Sequence, residues 1–291
     1  MLKEYCRSRA ALVDAKLLTL ISDKNEPTII FDAMRYSLMA GGKRLRPILL
    51  MAAADAVGAR GTDYLQIACG LEMIHTYSLI HDDLPAMDND DYRRGKLTNH
   101  KIYGEGMAIL AGDGLLTAAF EVMLEQPNVE PLLLLRAVTA IAHAAGPSGM
   151  VGGQALDLIS EGKQIDAATL KMIHQGKTGA LFTASLRAGA IVAGAKKDKI
   201  DCLTEFGHHF GLAFQITDDI LDVTGTQELI GKPVGSDEKN QKATYVSLFG
   251  LEKAKTLANE AVKDAKDSLS GFGSEANILR ELTTYLLSRN S

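Results

Sequence analysis

Carboxylates gather at two places in this chain. The run HDDLPAMDNDDYRRG (81–95) sets five aspartates, Asp82, Asp83, Asp88, Asp90 and Asp91, within ten residues and follows them with Arg93 and Arg94. The second group lies in FQITDDILD (214–222). On a helix of about 3.6 residues per turn, Gln215, Asp218, Asp219 and Asp222 fall within about 100° of arc, while Phe214, Ile216, Ile220 and Leu221 take other faces. A carboxylate stripe on an otherwise apolar helix is buried or lines a cavity, and two carboxylates about 4 Å apart repel by about 1–4 kcal/mol at effective dielectrics of about 80 to 20. A counter-cation is required. A lone DDxxD reads equally well as a solvated face; the matching cluster upstream makes it a site.

Oxygen ligands of this kind suit a hard divalent cation, Mg²⁺ above all where phosphate oxygens complete the shell. Zinc would want Cys or His partners, and the spacing is not that of an EF-hand. In LEMIHTYSLIHDD (71–83), also a helix candidate, His75, Ser78 and Asp82 share one face. Asp88 lies six residues beyond Asp82, about 240° round an uninterrupted helix. Both therefore reach one ion only if the turn at Leu84-Pro85-Ala86 swings Asp88 back.

Basic groups accompany the acidic ones. GGKRLRP (41–47) puts Lys43, Arg44 and Arg46 before Pro47, read as the first helical residue of ILLMAAADAV, so this cluster crowns a helix N-terminus and suits a phosphate. Arg93 and Arg94 form a second basic pair beside the aspartates. GKTG (176–179) superficially suggests a P-loop, but position 171 is Lys where that pattern needs Gly, and no strand precedes it. IGKPVGSDEKNQK (230–242) follows the second acidic stripe and brings Lys232 and Lys242 within reach of whatever bridges the carboxylates. Two facing carboxylate clusters, bridging Mg²⁺ and a basic rim in a Leu-, Ile-, Met- and Phe-lined cavity describe a site for a diphosphate ester with an apolar tail.

The elements that must hold these groups are helices. Strong helix formers dominate, prolines number only seven, and segments such as LTEFGHHFGLAFQITDDILDV (203–223) carry apolar residues at three- and four-residue spacing. Period-two alternation is scarce, so the fold class is all-α. Breaks at 22–28, 39–47, 57–63, 84–91, 125–131, 146–153, 223–242 and 270–275 leave about ten helices. No break resembles an interdomain linker and no solenoid repeat appears, so residues 1–291 read as one domain.

Composition bounds the rest. The 46% hydrophobic content supports a sizeable core. A net charge of -5 and a pI near 5.8 exert no long-range pull on nucleic acid or an anionic membrane. Cys6, Cys69 and Cys202 form neither a disulfide framework nor a zinc motif, as expected for a reducing cytoplasm. The N-terminus lacks the apolar stretch of a signal peptide, and apolar runs such as ILLMAAA (48–54) and AGAIVAGA (188–195) are too short to span a bilayer. A soluble protein is expected.

GGKRLRP, MIHTYSLIHDDLPAMDNDDYRRG, GGQALDL, GKTGALF and GLAFQITDDILD together closely resemble trans-prenyl diphosphate synthases, in that family's order and spacing over nearly the whole chain. The resemblance is strongest to the bacterial-type farnesyl diphosphate synthases. It implies an isoprenoid synthase fold around a central cavity, Mg²⁺ as cofactor, isoprenoid diphosphate substrates and a homodimer. It implies that Asp82, Asp88 and Asp218 ligate Mg²⁺, supported by Asp83, Asp219 and Asp222, with Asp90 and Asp91 peripheral. Arg93, Lys177 and Lys232 would bind the allylic diphosphate, and Lys43, Arg46, His75 and Arg94 isopentenyl diphosphate. Thr178 and Gln215 would face the developing allylic cation; Gln154, Asp157 and Lys242 are secondary. The 232–242 loop and TYLLSRNS (284–291) are expected lids. His81 and His208 are read as structural.

Tyr77 lies five residues before Asp82, about 7.5 Å along a helix and about 140° round it. The resemblance makes it the floor of the elongation pocket, with Ser78 able to share the role, and a bulky ring there implies a fifteen-carbon product. A geranylgeranyl synthase of the same family is the rival within the class. A terpene cyclase would have no reason to keep Lys43, Arg46 and His75. A helical metal phosphohydrolase, suggested by His81-Asp82, would need further histidines. A noncatalytic partner subunit would have lost aspartates from one motif, and both are intact.

Overall fold

The computed structural model describes residues 1–22, 25–225 and 242–288. The chain opens with α1 (Leu2–Leu20), α2 (Thr28–Leu38), α3 (Leu45–Ala56) and α4 (Leu65–Asp82). A two-residue hairpin, β1 (Tyr92–Arg93) and β2 (Lys96–Leu97), precedes α5 (Asn99–Tyr103) and α6 (Glu105–Leu124). Then come α7 (Pro131–Ala145), α8 (Met150–Ser160), α9 (Ala167–His174), a π-helical turn at Gln175–Gly179, α10 (Ala180–Val192) and α11 (Lys197–Thr224). Beyond residue 241 the described helices are α12 (Tyr245–Phe249), α13 (Leu251–Ser268) and α14 (Asn277–Ser288). The all-α expectation holds.

Why these helices pack as they do is legible in their faces. In α4, Ile67, Leu71, Met73, Ile74, Tyr77 and Ile80 point in several directions and are all buried, the pattern of a helix enclosed by neighbours. It is flanked chiefly by α6 and α3. α10 is equally apolar and lies between α3, α7 and α11, with Phe182 edge-on to Phe210 and Phe214. α11 runs 28 residues, about 42 Å at helical rise, and brings Asp218, Asp219 and Asp222 to its C-terminal end.

One expectation needs correction, and two further features were not expected. Pro47 does not open α3: the helix starts at Leu45, with Arg44 as a left-handed N-cap, and Pro47 sits in the first turn, where its missing N–H is no loss. The hairpin was not foreseen, because four residues give too little alternation. Its turn is built by Arg94 and Gly95, both at positive φ, as a tight hairpin turn between twisted strands requires. Third, by length and mean hydropathy alone α6 reaches the range of a membrane-crossing helix. Asp113 interrupts it, and its inner face is packed on α4.

Candidate active site

The first aspartate motif closes on itself through its backbone. α4 ends at Asp82, and the chain then turns so that the Asp88 N–H donates to the Asp82 carbonyl at 2.8 Å, with Met87 and Asn89 N–H groups donating to Leu84 O at 2.9 and 3.1 Å. This is the return of Asp88 that the Leu84-Pro85-Ala86 turn had to supply. Asp83 faces elsewhere: it is 3% exposed and accepts from Arg93 Nε at 2.7 Å, with Arg93 Nη2 2.6 Å away. Asp90 lies 3.7 Å from the same guanidinium, and Asp91 pairs with Lys101.

Facing this turn are α8 and the π turn. A Cβ at Gly153 of α8 would collide with the backbone nitrogen of Lys177, so only glycine lets the two segments touch. That contact brings Asp157 to Lys177 Nζ at 2.7 Å. Lys242 Nζ donates to Asp88 Oδ1 at 3.0 Å and is 3.9 Å from Asp157. Carboxylates and ammonium groups thus alternate. Burial, the largest influence, pushes the Asp82 carboxyl up to about 6 despite Lys177, and Asp88 adds to the rise. Burial also pushes Asp88 up, but Lys242 and Lys177 outweigh it and hold that carboxyl below its usual range.

On α11 a hydrogen-bond relay fixes orientations. Asp219, 2% exposed, accepts the Tyr245 N–H at 2.8 Å and the Gln215 amide N–H at 3.0 Å. Gln215 therefore presents its carbonyl oxygen to the Thr178 hydroxyl, 3.1 Å away. The Thr178 proton is spent on that bond, which leaves its oxygen lone pairs free for an electron-poor partner. Asp222 is also buried, and Asp218 is half-buried on the same stripe. Both carboxylate clusters end helices, where the backbone dipole is negative and worsens their repulsion.

The basic cluster divides in a way its sequence did not reveal. Arg44, 2% exposed, is committed to structure: it donates to Asp14, to Glu72 and to Leu38 O, each at 2.7 Å. It is not a phosphate ligand. Arg46 lies over the Phe182 ring, 4.6 Å from its centroid, and burial brings its pKa down to about 10. His75 is held well below its ordinary range by burial first and then by Arg46, Arg94, Arg93 and Arg44. Arg94 bonds the Gly41 carbonyl and closes over Gly42. The buried atoms Arg46 Nε and His75 Nδ1 have no hydrogen-bond partner among the described residues, nor do both amide atoms of Gln154. Lys43 is exposed on the same loop.

Glu72 was missed. It is 1% exposed and is the buried carboxylate beneath Arg44, with Arg46 and Arg94 also in its field. Its signal was a single acid in an apolar helix, IACGLEMI. Tyr77 is 6% exposed, its ring set edge-on to His81, while Ser78 bonds the His75 carbonyl. His208 is exposed, beside Thr183. Lys232 and most of the 232–242 loop lie outside the described residues, as do 289–291 of the C-terminal segment.

The family model for polyprenyl synthetases matches residues 27–276. A farnesyl diphosphate synthase of Geobacillus stearothermophilus is 51% identical over 255 residues, covering 87% of this chain and 86% of that protein. A geranylgeranyl diphosphate synthase of Cyanophora paradoxa is 48% identical, covering 99% of this chain and 96% of its own. The crystal structure of a farnesyl/geranylfarnesyl diphosphate (FPP/GFPP) synthase from Zymomonas mobilis superposes with a TM-score of 0.88 at 40% identity, covering 98% of each chain. With the aspartate motifs, the basic cluster and the helical fold in agreement, the chain belongs to the polyprenyl synthetase family and is a prenyltransferase.

Proposed function

We propose that this prenyltransferase condenses isopentenyl diphosphate head-to-tail with dimethylallyl and then geranyl diphosphate to release farnesyl diphosphate, and that residues 1–291 act as one domain. The observation that carries the reading is the separation of two charge environments: carboxylates at the ends of α4 and α11, and an arginine and histidine cluster whose buried Arg46 Nε and His75 Nδ1 have no hydrogen-bond partner among the described residues. The first suits a metal-bound diphosphate and the second a diphosphate held by protein alone.

Asp82, Asp88 and Asp218 would hold Mg²⁺, with Asp83, Asp219 and Asp222 in support. The donor set fits: every group is a carboxylate, and burial holds Asp82 up to about 6, where a cation would draw its proton off. Among the described residues no three Asp, Glu, His or Cys side chains meet closely enough to hold an ion alone. Mg²⁺ binds through one or two carboxylates together with substrate phosphates and waters. When bound, it offsets charge building on the departing diphosphate.

The chain's own groups do the rest. Arg93, Lys177 and Lys232 bind the allylic diphosphate, and Asp157 orients Lys177 from 2.7 Å. Lys43, Arg46, Arg94 and a neutral His75 hold isopentenyl diphosphate. Gln154 and Lys242 line the same cavity with lesser roles. Thr178, its proton committed to Gln215, turns oxygen lone pairs toward the allylic cation. The isopentenyl double bond attacks that cation, and the released diphosphate takes the proton. No side-chain nucleophile is needed.

Product length rests on Tyr77. Relatives named for farnesyl and for geranylgeranyl products are almost equally identical to this chain, so identity does not choose between them. A buried phenol one turn above Asp82 supports the shorter product. The exposed Ile109 and Leu110 of α6, with Leu132 and Leu135 of α7, support a homodimer; a cytoplasmic location belongs to the same reading. The deciding assay uses purified protein, labelled isopentenyl diphosphate and each allylic primer, with and without Mg²⁺. Fifteen-carbon product that requires Mg²⁺ is expected; no elongation from any primer would sink the reading.

A further inference from the structure

Tyr77 does not stand alone. His81 follows it by four residues, so the two rings share one face of α4. That face meets α6, the helix against which α4 packs most extensively. The ring centroids are 5.7 Å apart at 83°, an edge-to-face contact. His81 is itself held from α6: Nε2 lies 3.1 Å from the Ile109 carbonyl, which can only accept, so this nitrogen carries the proton. The Asp113 carboxylate lies 3.8 Å from the same atom. Gly112, between those two residues, provides the space, since a Cβ there would collide with Nε2 of His81.

We propose that His81 is a positioning residue for product length: α6 fixes the imidazole through Ile109 and the notch at Gly112, and the imidazole, in edge-to-face contact, fixes the Tyr77 ring as the end wall of the chain pocket. The proposal rests on the reading of Tyr77 as that wall. A phenol ring has few staggered positions and is held in one of them only while its neighbours fill the space on either side. Without the imidazole, one side of the Tyr77 ring faces a void, the ring can swing aside, and the pocket deepens.

The test compares product chain lengths by chromatography for Tyr77→Ala, His81→Ala, His81→Phe, Gly112→Ala and the double variant His81→Ala/Gly112→Ala. His81→Ala is expected to raise the ratio of twenty- to fifteen-carbon product by about 2- to 10-fold, the population shift that losing one aromatic contact produces. The rate of geranyl formation from the five-carbon primer should stay at the parent value. His81→Phe keeps a ring edge without the hydrogen bond and should restore most of the parent ratio, which a merely structural histidine would not do. Gly112→Ala should lengthen products by evicting the imidazole, yet add nothing in the His81→Ala background. If His81→Ala fails to fold, Gly112→Ala carries the same comparison. Parent-length products from both single variants, alongside longer ones from Tyr77→Ala, overturn the proposal and leave the wall standing. Unchanged products from Tyr77→Ala remove the wall and the proposal together.

Discussion

The acidic and basic clusters solve their charge problems differently. At the acidic end, Asp88 and Asp157 are already interleaved with Lys242 and Lys177, so opposite charges neutralise each other within the protein. At the basic end the buried carboxylate of Glu72 pairs with Arg44 and lies in the field of Arg46 and Arg94, and among the described residues Arg46 Nε and His75 Nδ1 have no hydrogen-bond partner. One end has its cations built in, on long side chains able to move aside for a metal-bound ligand. The other is left short of negative charge, and an anion would complete it. One cluster neutralised within the protein and one short of negative charge suit two diphosphates held in different ways.

The most damaging way to break this comparison is Glu72→Leu. Removing one partner of a buried ion pair should cost about 3–5 kcal/mol of stability, read by denaturant unfolding. A loss below about 1 kcal/mol would mean that the three arginines do not depend on Glu72. Asp82→Asn attacks the other end and should lower kcat by about 10²–10³-fold in the labelled isopentenyl assay, with the fold retained by circular dichroism. Arg46→Lys keeps the charge but loses the planar group over Phe182 and the Nε donor; a rise of about tenfold in KM for isopentenyl diphosphate, with kcat nearly unchanged, is expected.

The smallest effect is one of pH. Burial raises the Asp82 carboxyl from 3.8 to about 6, so between those values the folded state holds a proton that the unfolded chain releases. Its contribution is present below that window and is lost as pH rises through about 6. Calorimetric midpoints of the metal-free protein, minus those of Asp82→Asn, should therefore fall from pH 4 to pH 7. A flat difference would place Asp82 in a wetter site than the structure gives it.

Much of this was legible in the residues alone, and the successes share a cause. The stripe of Gln215, Asp218, Asp219 and Asp222 is a property of one helix, and helical periodicity delivers it. A turn after Asp82 was expected to swing Asp88 back, and the backbone does return there, the Asp88 N–H donating to the Asp82 carbonyl. What stayed hidden at the site is a matter of tertiary partners. Arg44 looks like its neighbour Arg46 until Asp14 and Glu72 claim it. Arg93 looks free until Asp83, ten residues back, takes its guanidinium. His81 was read as structural, and the residues that hold it, Ile109 and Gly112, lie on another helix.

The sequence by itself determined the helical class, the two aspartate motifs, the basic loop and the family, because each depends on residue type and short-range spacing. Only the tertiary structure decided which arginine is structural, which lysines answer which carboxylates, and what braces Tyr77. Those outcomes depend on burial and on contacts between helices, where a charge or ring takes whichever partner the packing brings to it.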